Sequence, residues 1–203
     1  MVASGTLIPV KTKKIWEIKL KRDTGSELIL NSNEVNAPVR FEETPASNSI
    51  IYKLKWDPVL LGPGKTFRAD LNITFKPSAG EFSWKIKTYL PENYKIISVK
   101  FPEFNMRPIG LAEDDFFTAP LFGGLLVKNP YENVKPETQG ENPGGYTMQF
   151  FTLYDSVTRR GIYFGTHDGT GFRKDYRTVG RNGVLEWEPV HYFPIPTPPE
   201  FEL

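Results

Sequence analysis

Two neighbouring stretches in which apolar and polar residues alternate constrain the fold of this chain more than any other feature. Every second side chain is apolar in residues 67–75, and residues 82–88 largely repeat the pattern. A period of two is typical of a β-strand with one buried and one solvated face. The connector, residues 76–80, is short and contains Pro and Gly, as hairpin loops do. The two strands are therefore predicted to pair antiparallel.

The rest of the chain also consists mainly of strand-like segments. Residues 31–49 lack the alternation and suit a loop or an edge segment. No amphipathic helix longer than two turns is evident. The other strand-like runs lie at residues 15–20, 28–30, 50–56, 94–101, 146–154, 161–166, 172–179 and 184–189. The pattern predicts an all-β fold, a two-layer antiparallel β-sandwich of about 10–12 strands with little helix.

Length and the placement of proline suggest how the chain is organised. At 203 residues, the chain can bury the core of an all-β sandwich, and a single such domain is predicted over residues 1–193. Residues 194–203 are rich in proline, which is typical of a tail or an interdomain linker. We therefore expect the chain to be a fragment of a longer enzyme.

The charge balance disfavours two classes of partner. The chain has 25 Lys and Arg against 24 Asp and Glu, which gives no electrostatic reason to expect nucleic acid or an anionic membrane. The longest apolar run, residues 121–127, is far shorter than the roughly 18 residues that span a bilayer. No signal peptide is visible, so a cytoplasmic parent protein and a secreted one both remain open.

Catalytic and metal-binding residue types are scarce. The absence of cysteine excludes disulfides, thiolate metal sites and a cysteine nucleophile. With two histidines, a metal site or a histidine-based triad has few ways to form. We therefore predict no catalytic residues, no metal site and no cofactor.

One histidine lies in a setting that suits ligand contact. His167 and Asp168 follow the strand-like residues 161–166 and are flanked by glycines. A His-Asp pair at the end of a strand can both donate and accept hydrogen bonds, so a contact with sugar hydroxyls is one interpretation. The alternative is a tight turn made by Asp168 and the glycines, with His167 bonded to nearby backbone. The sequence leaves both open.

The remaining polar candidates favour structural roles. Glu113, Asp114 and Asp115 form a dense acidic cluster that could serve glycoside hydrolysis or bind Ca²⁺. Neighbours on an extended chain point to opposite sides, however, so a solvated loop or a short helix start is favoured. His191 is expected to pack against an adjoining domain or to be exposed, with no site implied.

The four tryptophans lie within strand-like patterns. Core positions are therefore predicted for all of them, which are Trp16, Trp56, Trp84 and Trp187. Two exposed tryptophans side by side would instead suggest a surface on which sugars stack.

The second half of the chain resembles a known kind of domain. The residues that carry the resemblance are LFGGLLVKNP at 121–130, NPGGYTMQFFTLY at 142–154, GIYFGTHD at 161–168, and Lys174. In this order they are similar to the β-sandwich domain that precedes the catalytic barrel in certain multidomain glycoside hydrolases, a domain like the galactose-mutarotase supersandwich. The first half agrees mainly in strand order and in its opening Ile-Trp-Glu-Ile.

The resemblance implies a non-catalytic accessory domain of a carbohydrate-active enzyme. Such a domain packs on a downstream (β/α)₈ barrel of the same polypeptide, and its loops border the active site. On that basis Thr166, His167, Asp168 and Lys174 are the substrate-proximal candidates, and carbohydrate is the partner class. The acid and nucleophile carboxylates would belong to the barrel.

Three alternatives stay open beside this interpretation. The chain could be a self-standing carbohydrate-binding module with an aromatic platform. It could be a mutarotase-like sugar epimerase, which needs an acid and a base flanking the sugar ring, a pattern that two histidines hardly supply. It could also be a scaffold or oligomerisation domain without sugar contact.

Overall fold

A computed structural model describes residues 14–37, 39–136, 139–167, 169, 171–193 and 200–202. Sixteen strands, one helical turn (α1, Pro130–Asn133) and one 3-10 turn (Ala112–Asp114) lie in these residues. The strands are β1 Glu17–Arg22, β2 Glu27–Asn31, β3 Val39–Ala46, β4 Ser49–Gly62, β5 Lys65–Lys76, β6 Glu81–Tyr89, β7 Tyr94–Lys100, β8 Phe104–Met106, β9 Asp115–Ala119, β10 Leu125–Lys128, β11 Gly140–Asn142, β12 Phe150–Asp155, β13 Arg160–Gly165, β14 Lys174–Arg181, β15 Val184–Tyr192 and β16 Glu200–Glu202.

The all-β antiparallel sandwich predicted from the alternation is confirmed, with more strands than the expected 10–12. The difference comes partly from β8, β11 and β16, which have three residues each and are too short to show a period of two. The described chain divides into two compact units. The first comprises residues 16–99, 193 and 200–202, and the second comprises residues 14–15 and 100–192. That residues 1–193 form a single domain stays a prediction.

The first unit contains the hairpin predicted from the alternation. β5 and β6 pair antiparallel, with Phe75 opposite Phe82 and Lys76 opposite Glu81. The sheet order is β16-β6-β5-β4-β3, so the segment that lacks alternation supplies the edge strand β3, as expected. Residues 194–199 of the predicted tail lie outside the described residues, and β16 pairs with β6.

Tryptophans hold the two layers of the first unit together. The second layer contains β7, β1 and β2 in that order. Trp16, just before β1, packs edge-on against Trp56 of β4, with ring centroids 5.3 Å apart. Phe67 of β5 adds a third ring 6.3 Å from Trp16. All three side chains are buried, so the prediction that Trp16 and Trp56 belong to the core is confirmed.

The second unit repeats the two-layer plan. One sheet has the order β10-β9-β12-β13, and the other contains β11, β14 and β15, with β8 also paired to β15. Trp187 of β15 packs against Phe151 of β12 at a centroid distance of 4.4 Å, which joins the layers. The buried residues of this core are Met106, Phe117, Ala119, Tyr131, Val134, Tyr146, Phe151, Leu153, Tyr176, Leu185 and Trp187.

Candidate functional site

A shallow depression of about 510 Å³ lies in the second unit, at the open end of the β12–β13 hairpin, where β12 begins and β13 ends. Residues entering β12 form one wall, and residues of β13 with the loop after it form the other. The described residues that line it are Thr147, Met148, Gln149, Phe150, Tyr163, Thr166, His167 and Gly169. This is where the sequence candidates Thr166 and His167 come together.

Strand pairing fixes the walls of the depression. Phe150 lies opposite Gly165 in the β12–β13 register. The backbone amide of Thr166 donates to the carbonyl of Gln149 at 2.8 Å, which extends the ladder one step past β13. The loop therefore leaves the sheet from a fixed point, and the His167 side chain beyond it is exposed.

Tyr163 is the largest exposed ring in the depression. Phe151 and its cross-strand partner Phe164 face the core, so the alternation of the strands turns Tyr163 to the outer face of the sheet. Its side chain is 58% exposed. The ring stacks beside Phe150 at a centroid distance of 5.6 Å and lies 6.3 Å from the His167 ring.

The other two predicted site residues are Asp168 and Lys174. Asp168 lies outside the described residues. Lys174 begins β14, where it is buried and donates from Nζ to the carbonyl of Phe172 at 2.8 Å. It does not line the depression among the residues described there, and a role near substrate stays a prediction for both residues.

His191 is not exposed, contrary to one of the two expectations for it. It lies in β15 directly opposite Lys174, and its side chain is buried. Its Nε2 is 2.9 Å from the carbonyl oxygen of Phe101. The sequence could not show this, because Phe101 is distant along the chain. The contact gives His191 a structural role in the second unit.

The acidic cluster also differs in part from expectation. Ala112–Asp114 form a 3-10 turn, which matches the predicted short helix start. Asp115, however, is fully buried at the start of β9 and is not solvated. It lies directly opposite Asp155 of β12, also buried, so two carboxyl groups occupy the same cross-strand pair.

Hydrogen bonds divide the oxygens of this carboxyl pair. Oδ2 of Asp115 accepts from the Ile109 amide at 2.9 Å and from the Tyr131 hydroxyl. Oδ1 of Asp155 accepts from the amides of Val157 at 3.1 Å and Thr158 at 2.5 Å. Oδ1 of Asp115 is buried, and no hydrogen-bond donor among the described residues reaches it. A proton on Asp115 shared with Asp155 would satisfy it.

The surroundings push the pKa values of the two carboxyl groups apart. Burial raises the pKa of Asp115, and the charge of Asp155 adds to the increase, although the Tyr131 hydroxyl and Ile109 amide oppose it. The amide of Thr158 lowers the pKa of Asp155. Burial also raises the pKa of the Tyr131 hydroxyl. The surroundings therefore favour a proton on Asp115 rather than on Asp155.

Tryptophan does not form a sugar-stacking surface in the described chain. Trp187 is buried like Trp16 and Trp56, and Trp84 is half-buried in β6. The largest exposed ring of the depression is that of Tyr163, which the sequence indicated only as a residue of a strand.

The described residues contain neither a metal-binding cluster nor a helix suited to crossing a membrane. No group of three or more His, Cys, Asp or Glu side chains is arranged there to hold a metal ion. None of the helices in the described part of the chain has the length and apolar character needed to cross a membrane.

Comparison with known proteins gives a likeness of fold. A scan against protein-family profiles and a search of curated proteins both find no match. Among solved structures, the GalNAc complex of alpha-N-acetylgalactosaminidase NagBb from Bifidobacterium bifidum matches with a TM-score of 0.57 and 14% identity. A quadruple mutant of that enzyme matches with a TM-score of 0.47 and 10% identity, over 86% of this chain and 27% of its own. The GalNAc complex covers 87% of this chain, which spans only 29% of that enzyme's chain.

Proposed function

We propose that this chain is a non-catalytic accessory domain of a glycoside hydrolase, which packs on and shapes the active site of a downstream barrel. The observation that carries the proposal is the fold likeness to under a third of an alpha-N-acetylgalactosaminidase chain. A segment of that size with an all-β fold leaves most of such an enzyme for a separate catalytic domain.

The depression indicates where the domain would meet substrate. His167 is exposed on a loop whose start is fixed by the amide of Thr166, so its ring can be held at a constant position. Loops launched from a rigid sheet commonly carry binding groups. In this proposal Thr166 and His167 contact sugar hydroxyls at the border of the barrel's site. Asp168 and Lys174 remain further candidates.

A self-standing carbohydrate-binding module is the second candidate function. The observation that favours it is the exposed Tyr163 ring beside Phe150, since exposed aromatic rings bind the apolar faces of sugars. The two functions differ in what they require. The module would bind polysaccharide by itself, whereas the accessory domain acts together with a catalytic domain.

The isolated chain is expected to hydrolyse no aryl-glycoside. The gene product that includes the native downstream sequence is expected to hydrolyse at least one, because the acid and nucleophile would lie in the barrel. Release of nitrophenol from a panel of nitrophenyl glycosides, including the α-N-acetylgalactosaminide, measures both. Turnover by the isolated chain would reject the accessory role and would favour an independent enzyme.

Replacing His167 with alanine in the full-length enzyme is expected to lower kcat/KM about tenfold. Loss of one hydrogen bond to substrate costs about 1–1.5 kcal/mol, which corresponds to that factor. The melting temperature should stay unchanged, because the side chain is exposed. His191→Ala is the contrasting control, since the buried His191 should affect stability rather than kinetics. Lost stability with unchanged kinetics for His167→Ala would leave only the turn role.

A further inference from the structure

We propose that the depression at the start of β12 and the end of β13 binds one neutral sugar ring, with Tyr163 as its stacking platform. This inference rests on the proposed function and deepens it, since it names the ligand class and a residue that the resemblance does not supply.

Gly165 leaves room for the hydroxyl end of the Tyr163 ring. A Cβ atom placed on Gly165 would lie 2.5 Å from Tyr163 Oη, 2.9 Å from Cζ and 3.0 Å from Cε1. The hydroxyl end of the ring therefore occupies the space that a side chain at residue 165 would fill. The ring therefore extends along the strand towards residue 165, and the Tyr163 side chain is 58% exposed.

Neighbouring rings keep this platform in place. Phe150 stacks beside Tyr163 at 5.6 Å with an angle of 28° between the ring planes. The His167 ring lies 6.3 Å away at 37°. A tyrosine has only two side-chain torsions to order, so a ring supported in this way binds at a low cost in conformational entropy. A pyranose has an apolar face of C–H groups that matches such a surface.

The lining residues fit a neutral polyol. Hydroxyl, amide and imidazole groups surround the ring, on Thr147, Gln149, Thr166 and His167. Among the described lining residues there is no Lys, Arg, Asp or Glu. An aromatic surface with a few polar groups around it suits a ligand that exchanges hydrogen bonds through hydroxyls. A uronic acid or a sugar phosphate would place an anionic group in the depression, where the described lining residues include no cation to pair with it.

The test is binding of monosaccharides to the isolated 203-residue chain. Saturation-transfer NMR and titration would compare the methyl glycosides of galactose, glucose and N-acetylgalactosamine with methyl glucuronide. We expect at least one neutral glycoside to bind and glucuronide to bind at least tenfold more weakly. Equal or tighter binding of glucuronide would overturn the neutral class. Binding of none of the four would overturn the subsite.

Variants of the platform separate stacking from folding. Tyr163→Ala should weaken binding at least tenfold and Tyr163→Phe should retain it. Gly165→Ala keeps the tyrosine but should weaken binding severalfold, because the new methyl group displaces the ring. Phe82→Ala, which removes an exposed ring of the first unit, is the matched control and should leave binding unchanged. Unchanged affinity in a folded Tyr163→Ala protein would overturn the platform.

The proposal and the accessory role can fail separately. If no sugar binds the isolated chain while His167→Ala lowers kcat/KM in the full-length enzyme, the accessory role stands and the subsite is rejected. If the isolated chain binds neutral sugars through Tyr163 and the downstream sequence confers no hydrolysis, the subsite stands and the accessory role is rejected.

Discussion

Replacing Trp187 with alanine is expected to destabilise the second unit by about 3–5 kcal/mol, the usual cost of removing a large aromatic side chain from a core. Trp187 is 1% exposed, and three rings surround it. Phe151 lies at 4.4 Å, Phe164 at 5.1 Å and Tyr176 at 5.4 Å between ring centroids. Phe151 and Phe164 belong to one sheet and Tyr176 to the other, so the cavity would open between the two layers.

Urea denaturation followed by circular dichroism measures this loss. Trp84→Ala is the control, because Trp84 is half-buried and its removal leaves a smaller cavity. The midpoint should fall much further for Trp187→Ala than for Trp84→Ala. Equal shifts would contradict the central role of Trp187 in joining the sheets of the second unit.

The sequence predicted best what depends on neighbouring residues. The β5–β6 hairpin follows from alternation and a short connector, both of which are local, and its register agrees with the pattern. Burial of Trp187 was predicted for the same reason, because Leu185 and Trp187 alternate with polar residues in β15. Three-residue strands carry no such pattern, which is part of the reason why the predicted number of strands was too low.

The candidate site was predicted in part. The flanking glycines in the sequence drew attention to His167 and the resemblance added Thr166, and both residues line the depression. Phe150 and Tyr163 were seen only as strand residues, because a strand pattern does not show which faces a second sheet covers. The burial of Lys174 was not predicted, because burial depends on packing across sheets, and its role near substrate stays a prediction.

The buried carboxyl pair lay beyond prediction from sequence. Asp115 and Asp155 meet only because β9 pairs with β12, and the residues between them hold β10, β11 and α1. The Tyr131 hydroxyl donates to Asp115 from α1. Contacts between residues so distant along the chain are fixed by topology, and neither aspartate has a local pattern that indicates burial. The acidic run was therefore interpreted as a solvated loop or a short helix start.

Replacing Asp115 with alanine is expected to destabilise the second unit by about 3 kcal/mol or more, whereas Asp115→Asn should cost far less. Alanine removes the acceptor of the Ile109 amide and Tyr131 hydroxyl, and each buried group left unsatisfied is costly. Asparagine keeps that acceptor, and its amide can donate to Asp155 in place of the shared proton. Thermal unfolding of the two variants measures the difference. Equal losses of stability in Asp115→Ala and Asp115→Asn would show that the hydrogen bonds to residue 115 contribute little.

The pH dependence of stability separates the acid from its partner. Because the pKa of Asp115 is raised, the native state keeps a proton that the unfolded state releases above the ordinary value of 3.8. Stability from Asp115 is therefore complete below pH 3.8 and is lost as the pH rises through the raised pKa. Asp155, with its lowered pKa, contributes above 3.8 and loses that contribution as the pH falls through the lowered value. Titratable groups near the pair include Tyr131, whose hydroxyl donates to Asp115, and the exposed Arg160, opposite Asp155 in β13.

Asp115→Asn is consequently expected to abolish the fall in melting temperature on the alkaline side and to keep the fall in acid. Asparagine carries no proton that can be released, so residue 115 no longer makes the stability change with pH above 3.8. Asp155 still titrates below pH 3.8. Melting temperatures of both proteins between pH 3 and 9 measure the effect. Glu113→Gln is the control, because the exposed Glu113 lies two residues away and should leave the curve unchanged. Parallel curves for the wild type and Asp115→Asn would show that Asp115 is ionised in the native state and shares no proton with Asp155.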